Sequence, residues 1–257
     1  MNKHKLDIDR TRERMLAFGL VHAADQLDPM LSEAVKRETA PHSFLDQLLE
    51  AEYQGREARR VRTALRLSNL PTGHTLADFD FAFQPAIERS RIETLATCAF
   101  IRATETVLIQ GPPGVGKTHL AVALGIKAVE HGFSAQFYRF DELKVALKAD
   151  AHLPPARLRR RKYLSTALII IDELGFEPML RDEASLFFRL VTYRYGRGSM
   201  LITTNKSVRD WTELLAGDEA LTTAILDRLL HKAHVINIKG RSYRLRDLES
   251  LLSNART

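Results

Sequence analysis

The strongest functional signal in the sequence is the glycine-rich segment G-P-P-G-V-G-K-T at 111–118. This segment fits the pattern G-x-x-x-x-G-K-[ST], and it lies between an apolar strand-like run and an apolar helix-like run. Glycines let main-chain amides approach phosphate oxygens closely, a lysine reaches the β and γ phosphates, and a hydroxyl coordinates Mg²⁺. The pattern therefore predicts a triphosphate site with ATP and Mg²⁺ as its ligands. The predicted nucleotide-binding residues are Gly111, Pro112, Pro113, Gly114, Val115, Gly116, Lys117, Thr118 and His119.

An acid pair ends the apolar run L-I-I-I-D-E at 168–173. A strand that ends in an acid delivers it to the carboxyl edge of a sheet, where ligands of open α/β sheets bind. We expect Asp172 to hold Mg²⁺ through water together with Thr118, and Glu173 to polarise the attacking water. Such a pair alone would be an ordinary strand-end turn, but its position in the third strand after a phosphate loop favours hydrolysis.

A third polar group follows the apolar run M-L-I-T-T-N at 200–205. Asn205 would lie beside the γ-phosphate and could orient the water that attacks it. On its own, Thr-Asn at a strand end is only a turn signal. The order of the strands favours the catalytic interpretation.

The elements that must position these groups alternate in type after residue 74. Five short β-branched, apolar runs are separated by amphipathic segments of helix length, which is typical of a parallel sheet with helices on both faces. The runs are Thr106–Gln110, Ser134–Arg139, Ala167–Asp172, Met200–Thr204 and Val235–Ile238. The sequence therefore predicts an α/β domain with a parallel five-stranded sheet over 71–257. A small all-helical N-terminal domain over 1–70, which would bind a partner or DNA, precedes it.

The N-terminal part has few β-branched residues and no alternating pattern. Residues 7–25 form one helix candidate, and Pro29 and Pro41 are expected to break the pattern. Ser43 is a candidate N-cap for a long helix that runs to about Ser68. Three apolar residues at helical spacing would form the buried stripe of that helix: Phe44, Leu48 and Ala51.

Basic residues crowd two segments, one late in the long helix and one after Pro154-Pro155. Clustered arginines that outnumber nearby acids favour contacts with DNA phosphates. The solvated surface of a small helical bundle explains the first cluster equally well. The candidate DNA-binding residues are Arg56, Arg59, Arg60, Arg66, Arg157, Arg159, Arg160, Arg161 and Lys162.

The composition excludes several other classes of protein. Lys and Arg number 38 against 32 Asp and Glu, giving a formal net charge of +6, which permits nucleic-acid binding without requiring it. Cys98 is the only cysteine, so neither an intramolecular disulfide nor a cysteine-based metal site can form. The nine histidines show no paired-ligand spacing, and we predict no transition metal. The charged N-terminal stretch and the short apolar runs predict a cytoplasmic protein that does not bind a membrane.

Together with D-R-L at 227–229 and G-R-S-Y-R at 240–244, these motifs resemble those of the IstB-type helper ATPases of bacterial insertion sequences. These are AAA+ proteins related to the DnaC helicase loaders, and the resemblance covers the whole chain. It implies that the α/β domain is an AAA+ P-loop NTPase core. It also implies that Asn205 is the sensor-1 residue, that Arg228 is an arginine finger reaching a neighbouring subunit's γ-phosphate, and that Arg244 is the sensor-2 arginine.

Simpler interpretations of these residues stay open. A surface salt bridge to Asp227 would explain Arg228, and Arg244 could be one more member of a basic C-terminus. The resemblance also places T-L-A-D-F-D-F, with Leu76, Phe79 and Phe81, in the linker that borders the adenine. Core packing explains these aromatic side chains equally well.

The function that the resemblance implies is ATP-dependent help in transposition. The protein would form a homo-oligomer through its ATP interfaces on duplex DNA, largely without sequence choice. There it would select and remodel target DNA, recruit and regulate its cognate transposase, and hydrolyse ATP. A helicase loader of the DnaC kind shares every core motif and is the first alternative. The second is a nucleotide-gated DNA-binding scaffold that needs no turnover, whereas a small-molecule phosphotransferase fits poorly because no substrate-specific lid is visible.

Overall fold

The computed structural model describes residues 3–243 and residue 245. The helices are α1 (Lys3–Ala17), α2 (Val21–Lys36), α3 (Pro41–Leu67), α4 (Arg89–Ala96), α5 (Ala99–Arg102), α6 (Lys117–Glu130), α7 (Phe140–Asp150), α8 (Pro155–Leu158), α9 (Lys162–Ser165), α10 (Arg181–Arg194), α11 (Trp211–Leu214) and α12 (Glu219–Leu230), with a 3₁₀ turn at Val208–Asp210. The strands are β1 (Thr106–Gln110), β2 (Ala135–Arg139), β3 (Leu168–Leu174), β4 (Ser199–Thr204) and β5 (Ala233–Asn237). In the part of the chain so described, no helix is both long and apolar enough to cross a membrane.

The strands form one parallel sheet in the order β2-β3-β4-β1-β5. This confirms the predicted α/β fold class, and each strand overlaps the run predicted for it. The sequence pattern ended the third strand at Asp172, whereas β3 continues to Leu174 across an irregularity in its pairing with β4. All the strands point the same way, so their carboxyl ends, and the polar residues that follow them, share one edge.

Helices cover both faces of the sheet because alternate residues of the central strands are buried on opposite sides. Ile169 and Ile171 belong to the apolar cluster that includes Phe187 of α10. Ile170 faces the other way, towards α6, where a Cβ added at Gly125 would lie 2.5 Å from Ile170 Cδ1. A sheet packed in this way holds its carboxyl edge rigidly.

The buried arginine Arg194, at the end of α10, anchors the opposite edge of the sheet. Only 1% of its surface is exposed, and its guanidinium donates hydrogen bonds to the carbonyls of Tyr163, Thr166, Ala167 and Ser199. Burial lowers the pKa of Arg194 to about 10. The four carbonyl partners tie the segment that leads into β3 to the first residue of β4.

The chain divides after Thr63 into two compact units, and the first of them is built from helices alone. Its core contains Met15, Ala23, Ala24, Leu27 and Leu48, with Phe44 packed against them. The boundary between functional domains expected at residues 70 and 71 stays a prediction.

The helix limits in this first unit differ from the sequence expectation. Residues 7–25 are not one helix, because the chain turns at Gly19 (φ +73°) between α1 and α2. Pro29 lies inside α2, where it is exposed on the solvent side and the carbonyl that loses its donor can be hydrated. Ser43 is not the N-cap, since α3 begins at Pro41, which suits the first helical position.

Candidate functional site

The predicted phosphate loop connects β1 to α6 at the carboxyl edge of the sheet. Two of its glycines leave room for neighbouring side chains, which the motif alone does not show. A Cβ at Gly116 would lie 2.7 Å from the Phe79 ring, and a Cβ at Gly114 would lie 2.1 Å from Ser242 Oγ. The loop is therefore in close contact with the linker before the sheet and with the segment after it.

Lys117 and Thr118 open helix α6, so their amides lie at its electropositive end. Lys117 Nζ donates hydrogen bonds to the carbonyl oxygens of Gly111 at 2.8 Å and Pro112 at 2.7 Å. Thr118 Oγ1 donates to Asp172 Oδ1 at 2.9 Å and to Oδ2 at 3.0 Å. A hydroxyl and a carboxylate side by side supply the hard oxygen ligands that Mg²⁺ prefers, so these two residues fit the predicted metal.

The acid pair is held by a residue that the sequence interpretation missed. Thr203 is fully buried, and its Oγ1 donates to Asp172 Oδ1 at 2.5 Å and accepts from the Glu173 N–H at 3.0 Å. Glu173 lies in the left-handed region with φ +60°, within the pairing irregularity of β3. The bulge aims the Glu173 side chain away from the strand, and Thr203 fixes the turn. A hydroxyl in an otherwise apolar strand needs a buried partner, which was the available signal.

Glu173 has a second contact that the sequence did not suggest. Arg139, the last residue of β2, donates from Nη2 to Glu173 Oε2 at 2.8 Å. Arg139 also lies 3.7 Å from Asp141. Both partners of the Arg139–Glu173 pair are about half exposed, so the pair orients Glu173 more than it stabilises the fold.

A cleft of about 480 Å³ joins these groups. Its walls include Lys117, Thr118, Asp172, Glu173 and Asn205, so the structure brings together the groups expected to bind and hydrolyse the triphosphate. Pro113, Gly114, Gly116 and His119 also line it, whereas Val115 is buried below the loop.

His119 belongs to an aromatic cluster beside the phosphate loop. Its Nε2 lies 2.7 Å from the Thr75 carbonyl, and its ring lies 4.8 Å from that of His74 and 5.3 Å from that of Phe79. Burial lowers the pKa of His74, and the nearby His119 lowers it further. His119 therefore packs the linker against the loop.

A second cleft of about 370 Å³ opens on the other side of Pro112 and Pro113. Phe83 lines it, and the rings of Phe83 and Tyr243 lie 4.2 Å apart. Tyr243 N donates to the Gly114 carbonyl at 2.9 Å. The placement of Leu76, Phe79 and Phe81 in a linker that borders the adenine stays a prediction. In the structure Phe79 is buried against the phosphate loop.

Arg228 lies at the edge of the sheet opposite its own phosphate loop. It lines a pocket with Thr106, the first residue of β1, whereas the loop follows the last residue of that strand. Five residues of strand separate the two edges by about 13 Å. Arg228 Nη1 donates to the Ala224 carbonyl, and the Arg228 guanidinium lies over the Phe188 ring. Within the described ranges the structure records no ion pair between Arg228 and Asp227. Arg244 lies outside the described residues.

The candidate DNA-binding residues differ in whether a contact within the described chain holds the side chain. Four of them make contacts within the chain: Arg56 with Glu52 and the Gly19 carbonyl, Arg60 with Glu57, Arg161 with Asp150, and Lys162 with the Leu67 carbonyl. The hydrogen bond from Arg60 lowers the pKa of Glu57. The others are exposed at the surface: Arg59, Arg66, Arg157, Arg159 and Arg160.

Comparison with known sequences gives consistent results. A family model described as IstB-like ATP binding protein matches residues 14–250. The chain is 43% identical over 245 residues to the insertion sequence IS21 ATP-binding protein of Pseudomonas aeruginosa, covering 95% of this chain and 90% of that protein. It is 37% identical over 239 residues to the insertion sequence IS5376 ATP-binding protein of Geobacillus stearothermophilus, covering 93% of this chain and 95% of that protein.

Comparison with solved structures identifies the fold. The crystal structure of the DnaC helicase loader matches with a TM-score of 0.52 at 25% sequence identity, covering 67% of this chain and 97% of that chain. DnaA from Aquifex aeolicus bound to AMPPCP matches with a TM-score of 0.52 at 18% identity, covering 72% of this chain and 56% of that chain, which is a likeness of fold alone. These matches confirm the expected AAA+ core.

Proposed function

Because the chain belongs to the IstB-like ATP-binding proteins of insertion sequences, we propose that it is an ATPase that assembles on duplex DNA and assists transposition. The observation that carries the proposal is the single cleft that gathers Lys117, Thr118, Asp172 and Glu173. A protein that only bound nucleotide would not need an exposed carboxylate on a strained backbone beside the phosphate loop.

Binding of the triphosphate uses the main-chain N–H groups of 114–118 and the ammonium group of Lys117. Lys117 exchanges its two carbonyl partners for phosphate oxygens, which are stronger acceptors because they are charged. Thr118 and Asp172 would hold Mg²⁺, which neutralises charge between the β and γ phosphates when it is bound.

Hydrolysis requires a water in line with the bond that breaks. In the proposed reaction, Glu173 accepts a proton from this water, whose oxygen bonds to the γ-phosphorus while the bond to the bridging oxygen breaks, giving ADP and phosphate. Asn205 orients the same water from the neighbouring strand end. Thr203 positions both acids, because its hydroxyl donates to the Asp172 carboxylate and accepts from the Glu173 N–H.

Replacing the proposed base is the first test. Glu173→Gln removes the proton acceptor with little change in shape, so hydrolysis should fall by about 10² to 10⁴-fold while ATP still binds. Steady-state ATPase rates and fluorescent-nucleotide binding measure the two effects. A variant that hydrolyses ATP at the parental rate would contradict the proposed reaction.

Arg228 completes the site from a second copy, because its own phosphate loop lies at the other edge of the sheet. Arg228→Ala should therefore bind ATP and fail to hydrolyse it. Mixing it with Glu173→Gln subunits should restore activity, since some interfaces then combine an intact Glu173 with an intact Arg228. Absence of rescue at every mixing ratio would contradict a finger supplied by a neighbour.

Contacts with duplex DNA are proposed for the exposed arginines. The double variant Arg59→Ala/Arg66→Ala should weaken binding and reduce the slope of log K against log salt by about 1.8, or 0.9 for each lost phosphate contact. The charge-matched control Arg181→Ala/Arg209→Ala removes two exposed arginines outside the predicted face. Equal effects in the two variants would show a general charge effect and refute this face.

A helicase loader is the second candidate, favoured by the match to the DnaC helicase loader over 97% of that chain. Pull-down from a mixture of the cognate transposase and a replicative helicase separates the two functions. Retention of the transposase in the presence of ATP supports help in transposition, and retention of the helicase alone supports loading.

A further inference from the structure

Phe176 is a large apolar side chain that is exposed to solvent, whereas phenylalanine is normally buried. It lies three residues after Glu173, in the loop between β3 and α10, and 78% of its surface is exposed. The cleft beside it is lined by three acids, Asp141, Glu173 and Glu177, and by two bases, Arg139 and Lys144, so its formal net charge is −1 (three minus two). The ring therefore lies next to the proposed base, on a rim with a small excess of negative charge.

A pocket with a basic wall lies at the edge of the sheet where the strands begin. It has a volume of about 150 Å³, and its wall includes Tyr195, Gly196, Gly198, Arg228, His231 and Lys232. A cavity of about 150 Å³ is large enough to hold a benzene ring. No acid lines it among the described residues, and a Cβ at Gly196 would meet no atom within 4 Å, so its mouth is open. We refer to it as the Arg228 pocket.

We propose that Phe176 of one copy of the chain docks in the Arg228 pocket of the next copy. The proposal rests on the proposed function, because it names the contact that brings Arg228 to a neighbouring triphosphate. The net negative charge of the rim around Phe176 complements the wall of the pocket, where Arg228 and Lys232 are charged and no acid is described. Phe176 cannot reach the Arg228 pocket of its own chain, since the seven residues of β3 separate the two edges by about 20 Å.

This docking explains how a single ring couples assembly to catalysis. Since Phe176 is three residues from Glu173, a ring held in the next copy's pocket fixes that copy beside the cleft. Arg228 lines the same pocket and is thereby directed at the γ-phosphate. Tyr195, which is 46% exposed and bonds through its hydroxyl to His231, supplies an aromatic wall for the ring.

A disulfide trap tests the contact directly. Phe176→Cys protein is mixed with Tyr195→Cys protein, with ATP, Mg²⁺ and duplex DNA present, and oxidised; the native Cys98 is buried in both. We expect a cross-linked dimer from the mixture and none from either protein alone. Val145→Cys replaces Phe176→Cys in the control, because Val145 is similarly exposed at 69% and should give no cross-link with Tyr195→Cys.

A second pair of variants measures what the ring contributes. Phe176→Ala should raise the concentration for half-maximal assembly by at least about tenfold, whereas Phe176→Leu should raise it less, because buried aromatic anchors dominate interface energies. Because Phe176 also lines the cleft of the phosphate loop, fluorescent-nucleotide binding is measured for each variant, and assembly is compared at saturating nucleotide. Particle size by light scattering and ATPase rate against protein concentration give the values.

The outcomes separate the docking contact from the proposed function. If the parent protein hydrolyses ATP with help from Arg228 while Phe176→Ala assembles normally and the mixture gives no cross-link, the docking proposal is overturned and the ATPase stands. If the parent shows no turnover above Glu173→Gln, the proposed function fails, and the cross-link still decides the contact.

Discussion

Replacing Thr203 with valine removes one hydroxyl from between the two acids without changing the shape of the side chain. That hydroxyl donates to Asp172 and accepts from the Glu173 N–H, and Thr203 is fully buried. A hydrogen bond to a charged group is worth about 1.5–3 kcal/mol, and an unpaired N–H costs about 1–3 kcal/mol more, so the two losses together exceed about 2 kcal/mol. We expect Thr203→Val to lower the free energy of unfolding by at least about 2 kcal/mol.

The same variant should lower kcat by at least about tenfold, since each 1.36 kcal/mol that reaches the barrier is a factor of ten. The ATP Kd should change little, because Thr203 bonds to the acids and not to the phosphate loop. Urea unfolding, ATPase kinetics and Mg²⁺ titration are the assays. Thr203→Ser keeps the hydroxyl and should recover most of kcat. Equal impairment of the serine and valine variants would refute a positioning role, as would a parental kcat in Thr203→Val.

Three further variants test other contacts. Lys117→Ala should weaken ATP binding by at least about tenfold, because it loses charge-assisted bonds to phosphate; tight binding by titration calorimetry would contradict the site. Arg139→Ala frees the Glu173 carboxylate and should change the DNA-independent ATPase rate by no more than about fivefold, since half-exposed ion pairs are worth up to about 1 kcal/mol. A larger loss would give Arg139 a direct role. Arg194→Met should destabilise the fold by at least about 3 kcal/mol in urea, because four carbonyls each lose a hydrogen bond from the guanidinium; an unchanged midpoint would count against that anchor.

The groups predicted from sequence are those whose chemistry lies in contiguous residues. The phosphate loop needs its glycines, Lys117 and Thr118 within one turn, so a short motif records the whole requirement. The five strands were found because a sheet buried on both faces demands unbroken apolar runs. Asp172 followed from the same reasoning, since the parallel strands bring their ends to one edge.

Contacts between separate elements could not be predicted in this way, because no contiguous motif contains both partners. Arg139 meets Glu173 only because β2 and β3 are neighbours, and Thr203 meets it only because β4 is shifted against the bulge. Local propensity also gave a wrong prediction at Pro29, which lies inside α2 because its exposed position lets water reach the carbonyl that lacks a donor. The pairing of Arg56 with the buried Glu52 required tertiary structure as well.

The left-handed backbone of Glu173 has a consequence for how this protein tolerates change. A non-glycine residue in that conformation carries about 1–2 kcal/mol of strain, which glycine would not. Screening a library for heat resistance alone should therefore enrich Glu173→Gly, and such survivors would lack the carboxylate that the proposed reaction needs. Thermostable versions of this protein are better sought with position 173 held constant.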